Sequence, residues 1–140
     1  MSQTMQAVIQ HTYGNRDVLQ LETITMPAIN ADDVLIKVHA AAINPVDWKI
    51  REGYLQAMIP YPMPLTLGWD VAGEIVAVGA QVTDFKIGDS VYSRPDIARN
   101  GAYAEFIAVR ASEVAVKPAS LDWQHAAAVP LVALTAWQAM

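Results

Sequence analysis

The chain has 140 residues, 54% hydrophobic and 16% charged, with 8 prolines, 7 glycines and no cysteine. Nine basic against fourteen acidic residues give a net charge of −5 with no Lys/Arg cluster, which argues against nucleic-acid binding. The missing cysteine excludes disulfides, thiolate zinc sites and a cysteine nucleophile. The charged fraction lies below the roughly 25% of an average soluble domain, so part of the surface is expected to be covered by something outside these residues.

At the N-terminus no basic region precedes an apolar run and a small-residue cleavage site, so no secretory signal is predicted and a cytoplasmic location is the default. From Met5 to about Lys117, short β-branched runs alternate with turn residues. The pattern predicts strands over Ala7 to Gln10, Leu19 to Thr25, Val34 to Ala40, Ala72 to Val78, Ser90 to Tyr92, Ala104 to Val109 and Glu113 to Val116. Strands so spaced suit a barrel or sandwich. Val34, Leu35, Ile36 and Val38 are all apolar, so their strand is expected to be covered on both faces and central. Pro45 is placed to start a short helix. The prolines between Ile59 and Pro64 predict an extended connecting wall rather than a strand. Gly79 closes one strand and Lys86 to Asp89 reads as a tight turn, making Gly73 to Tyr92 a hairpin-like pair.

After Lys117 and Pro118 the period changes to helical. Ser120 is the expected N-cap, Asp122 suits the first turn, and Pro130 stops that helix or starts another. The second helix, Leu131 to Met140, is apolar nearly all round and has no capping glycine. The apolar stretch from Ala126 to Met140 is interrupted and shorter than the ~20 residues a bilayer crossing needs, so burial in protein rather than in a membrane is expected. The boundary falls near residue 118: a β domain over 1–118, and over 119–140 the helical start of another.

Read from the residues alone, the chain has no GxSxG, HExxH, GxxxxGK[ST] or GxGxxG string. His11, His39 and His125 lie on separate elements without metal-ligand spacing, so structural or surface roles are expected. The stretch Asn44-Pro45-Val46-Asp47-Trp48-Lys49 sets an amide, a carboxylate and an ammonium directly after a buried strand, where polar groups can line a site. Helix capping by Asn44 and Asp47 is the alternative.

The strings NPVDWKIREG, LGWDVAGEIVAVG, FKIGDSVY, GAYAEF and AAAVPLVALTAW, in this order from about Gln6 to Met140, resemble the zinc-independent quinone and enone oxidoreductases of the medium-chain dehydrogenase/reductase superfamily. The resemblance implies a mainly β, GroES-like, partly open barrel with short helices as the catalytic domain, then the first helices of a Rossmann-type α/β domain whose remainder lies outside the sequence. It implies NAD(P)H as cofactor, NADP(H) before NAD(H), held mainly by that further domain. The implied substrate is a quinone or enone, and the implied full-length assembly a homo-oligomer. The zinc-ligand positions of the alcohol dehydrogenase branch align with Asn44, Trp69 and Leu131, none of which can replace its ligand, so no catalytic zinc is expected. Asn44, Lys49 and Trp69 are the implied substrate-pocket residues, and Asn44, Val46 and Thr135 the cofactor-side residues. No general acid or base is assigned, Asp47 and Asp70 being as well explained as structural acceptors. Lys49 has a competing reading as a solvated lysine and Trp69 as core. A non-catalytic binding module and a zinc alcohol dehydrogenase are the alternative functions, and the 140 residues alone are expected to be inactive.

Overall fold

The computed structural model describes residues 2–140. In chain order the elements are β1 (Thr4–Gln10), β2 (Gln20–Thr25), β3 (Asp33–Ala41), α1 (Pro45–Arg51), β4 (Leu65–Thr66), β5 (Val71–Val78), β6 (Ser90–Ser93), β7 (Phe106–Arg110), β8 (Val114–Val116), α2 (Trp123–Ala127) and α3 (Pro130–Ala139). A three-stranded sheet, β2-β1-β4, faces a five-stranded one, β7-β3-β5-β6-β8, with antiparallel pairing throughout. A bridge between Ala7 and Ala104 links β1 to the segment leading into β7, and the result is the partly curled, GroES-like β architecture that the resemblance implied, where the strand pattern alone allowed a barrel or a sandwich.

Alternation accounts for the one-sided strands. Met5, Ala7 and Ile9 of β1 point inward while Thr4 and Gln6 are exposed. In β3 four consecutive residues, Asp33 to Ile36, are buried, as expected for a strand paired on both edges and covered on both faces. Val34, Ile36, Val71, Ile75, Val91 and Val109 form the main core. A second cluster of Ile50, Tyr61, Leu65, Leu67 and Trp69 lies under α1. Close approach of β3 and β5 needs a glycine at 73, because a Cβ there would collide with the Lys37 carbonyl oxygen.

The hairpin β5–β6 forms as predicted, and its turn has Gly88 at φ +96°. The 59–64 segment runs outside any strand, also as expected. Other boundaries differ. The run predicted from Ala104 begins as β7 only at Phe106, because Glu105 N–H bonds to Gln6 of β1, 3.0 Å away. Glu113 sits in a 3-10 turn, leaving Val114–Val116 as strand. The N-cap of α2 is Asp122, not Ser120: its carboxylate accepts from the His125 N–H at 2.8 Å. Pro130 starts α3 rather than ending α2. The two-residue β4 and a 3-10 turn at Arg16–Val18 were not foreseen.

Candidate functional site

The site is built around two buried aspartates. Pro45 supplies the φ of the first turn of α1, and Asp47 turns back so that its Oδ2 accepts from the Asn44 N–H at 2.7 Å, as in a capping box. Its Oδ1 accepts from Gly68 N–H at 3.1 Å, which ties α1 to the loop leading into β5. Gly68 has φ +99°, and a Cβ on it would run into the Tyr103 ring. Asp70, 0% exposed, accepts from Asn44 Nδ2 at 3.1 Å through Oδ2 and from Leu131 N–H at 3.0 Å through Oδ1. Leu131 lies in the first turn of α3, whose own N-cap, Val129, has no side-chain acceptor, so Asp70 satisfies a helix N-terminus from across the fold.

Burial pushes Asp47 above the usual carboxylate range, against the hydrogen bonds from the Asn44 and Gly68 N–H groups. It raises Asp70 likewise, with Asp47's charge adding to the effect and the bonds from Asn44 and Leu131 opposing it. The Tyr103 hydroxyl lies buried beside Asp47 without a well-formed hydrogen bond, and burial, then the Asp47 charge, drives its pKa up.

Leu131, which Asp70 holds, also lines a cleft of about 680 Å³ together with Val46, Arg94, Ile97, Val114 and Thr135 among others. Val46 comes from α1, Arg94 follows the end of β6, and Thr135 stands on the first turns of α3. The structure therefore brings Val46 and Thr135 to one cavity, whereas Asn44 is buried, bonded to Asp70, and does not line it. Lys49 is exposed on α1, its ammonium 5.8 Å from the Trp48 ring centre. Trp69 is fully buried, packed on Tyr61, and donates from Nε1 to the Arg99 carbonyl at 3.0 Å. A separate cavity of about 360 Å³ contains the Asp33–Arg99 ion pair and none of the predicted site residues.

The three histidines have partners elsewhere. His11 meets Glu22 at 2.8 Å, His39 stacks on Trp123 with centroids 4.3 Å apart, and His125 meets Asp122 at 2.7 Å. Arg94 was missed by the motif reading. Its only sequence signal is a cation between a strand end and Pro95, a context shared with ordinary turns.

The model of the alcohol dehydrogenase GroES-like domain matches residues 30–119. This chain belongs to that family. It is 44% identical over 139 residues to the NADPH-dependent alkenal/one oxidoreductase, chloroplastic, of Arabidopsis thaliana, covering 94% of this chain and 36% of that protein. It is 37% identical over 153 residues to the human NAD(P)H oxidoreductase RTN4IP1, mitochondrial, covering 99% and 39%. The quinone oxidoreductase structure from Coxiella burnetii superposes with a TM-score of 0.89 at 32% identity, covering 98% of this chain and 44% of that one. The chain thus spans less than half the length of these relatives. The resemblance read from the motifs is borne out. The cytoplasmic location expected at the outset is not: these relatives are named as chloroplastic and mitochondrial proteins.

A zinc ion, which some members of such a family would imply, does not fit the donor set. The Asn44 amide is a poor zinc donor, the Trp69 indole nitrogen has no free lone pair and gives its N–H to the Arg99 carbonyl, and the Leu131 side chain has no donor atom. Among the described residues, no three His, Asp or Glu side chains gather as a metal would require, and no helix is long and apolar enough to cross a membrane.

Proposed function

We propose that this chain is the GroES-like catalytic part of an NAD(P)H-dependent oxidoreductase that delivers hydride to a quinone or an α,β-unsaturated carbonyl without a metal. The observation that carries the reading is the cleft lined by Val46 of α1 and by Leu131 and Thr135 of α3, with the Leu131 N–H bonded to Asp70, the acceptor for Asn44. A nicotinamide ring fits this cleft chemically. One wall is apolar, through Val46, Ile97 and Leu131, and the Thr135 hydroxyl, which donates to Leu131 O at 2.7 Å, keeps its lone pairs free to accept. When bound, the cofactor supplies the hydride and its electron pair.

The chain's own contribution is to hold Val46, Thr135 and Leu131 in register, because Asp70 clamps Asn44 and the start of α3 together, and to exclude water from the apolar wall. Domain division at residue 118 belongs to the proposal, supported by a family match that ends at residue 119. NADP(H) is proposed before NAD(H), supported by the NADPH dependence in the name of the Arabidopsis relative. A homo-oligomeric full-length protein is proposed from the resemblance alone.

The full-length protein should oxidise NADPH in the presence of a quinone or an α,β-unsaturated ketone, and a metal chelator should leave that rate unchanged. Turnover only with alcohols, abolished by the chelator, would overturn the reading.

A further inference from the structure

The cleft contains one charge that nothing so far explains. Of the residues lining it, Arg94 and Glu113 are ionic. Glu113 is neutralised: Oε1 takes Arg110 Nη1 at 3.0 Å and Oε2 accepts the Asp96 N–H at 3.2 Å. Arg94, half-buried after β6, makes neither a salt bridge nor a side-chain hydrogen bond among the described residues. It lines the cleft together with Leu131, whose N–H is bonded to Asp70. The other basic side chains differ. Arg51, Arg99, Arg110 and Lys86 hold carboxylates at 2.6–3.0 Å, Lys117 donates to the Pro118 and Leu121 carbonyls, and Arg16, Lys37 and Lys49 are exposed. A partly desolvated guanidinium with free donors, beside Val46, Ile97 and Leu131, is left with unmet hydrogen-bonding capacity that an oxygen bearing negative charge would satisfy best.

We propose that Arg94 receives the substrate's carbonyl oxygen and stabilises the oxyanion that forms as hydride arrives. This rests on the cleft being the hydride-transfer site. In the step, a hydride and its electron pair pass from the dihydronicotinamide, which becomes the oxidised ring, to the β carbon of an enone. The C=C pair moves to join the α and carbonyl carbons, and the C=O π pair settles on oxygen as an enolate. Water then gives a proton to the α carbon, and the C=O bond returns. For a quinone, hydride addition leaves the hydroquinone monoanion, which likewise has its charge on a conjugated oxygen. Arg94 bonds this oxygen more strongly once it is charged than when it is a neutral carbonyl, which is the condition for lowering the barrier rather than merely tightening binding.

The test uses the full-length protein and two readouts. The first needs no cofactor: 4-nitrophenol, whose colour reports its ionisation, stands in for the conjugated oxyanion. Bound to the wild type, its ionisation midpoint should fall by about one pH unit or more. Arg94→Gln and Arg94→Leu should abolish the shift, and Arg94→Lys should keep part of it, because charge survives while the fork is lost. The second is kinetic: Arg94→Gln should cut kcat with an enone about 100-fold, with little change in KM and none in the Kd for NADPH.

Circular dichroism and the unchanged NADPH Kd establish that the variants are folded. No dye shift in the wild type, or wild-type kcat in Arg94→Gln, overturns the role of Arg94 while leaving hydride transfer standing. A weakened NADPH Kd with the dye shift intact would assign Arg94 to a cofactor phosphate and also overturn it. A dye shift in a protein that reduces neither enones nor quinones would instead sink the functional reading beneath it.

Discussion

Asp33 is 1% exposed in its side chain and meets the Arg99 guanidinium, 27% exposed, at 2.9 Å. Burial raises its pKa, but the hydrogen bonds from Asn30 and the Arg99 charge outweigh burial and hold the carboxyl below its ordinary range. A carboxyl lowered in the folded state adds stability above the unfolded value near 4, and that stability is lost as the pH falls through the lowered pKa. Arg99→Gln should therefore cost about 2 kcal/mol at pH 7, less than the ~3–5 of a fully buried pair because Arg99 is partly solvated. The gap between wild type and variant in urea unfolding should narrow below about pH 4. A gap constant from pH 7 to pH 3 would show that Arg99 acts by packing alone. Asp47 and Asp70 work in the opposite sense: burial raises both, so their contribution is full below the ordinary carboxylate range and is lost as pH rises above it.

Helix α2 offers a test of capping. Asp122→Ala removes the acceptor for the His125 N–H and should lower the unfolding midpoint, whereas Ser120→Ala should leave that midpoint unchanged. Equal losses in the two variants would restore Ser120 as the cap. Most strands were legible because one face is wet and the other dry, so alternation and turn residues mark them, as in β1 and the β5–β6 hairpin. β4 was not, since two residues after three prolines have no period. Nor was the start of β7, where Ala104 and Glu105 are drawn to β1 while their neighbours pair with β3. The same limit applies to the site. Asn44 and Asp47 stand out as a local motif, but the bond from Leu131 to Asp70 spans 61 residues, and Arg94 is a single residue before a proline.

Taken whole, the molecule presents α3 largely to solvent, with Trp137 76% exposed beside Val132, Leu134 and Met140. Its 140 residues contain no glycine-rich phosphate turn, and the contacts proposed at Val46 and Thr135 are too few to repay the entropy lost when a dinucleotide binds. We therefore predict that this polypeptide by itself neither binds NADPH in calorimetry nor oxidises it with a quinone, and that it self-associates through α3 in sedimentation. Saturable micromolar binding with turnover would place the active unit within these residues. The Asp70 clamp also fixes where α3 can swing. Leu131 is pinned to the β layer at 3.0 Å, so a rigid tilt of the helix has its fulcrum near that amide. Thr135 lies four residues on, about 6 Å along the axis at 1.5 Å per residue, and a ten-degree tilt moves it by about 1 Å. The end of α3 then moves further than Thr135 for the same tilt, with the fine geometry kept close to the pin and the coarse motion left to the far end of the lever.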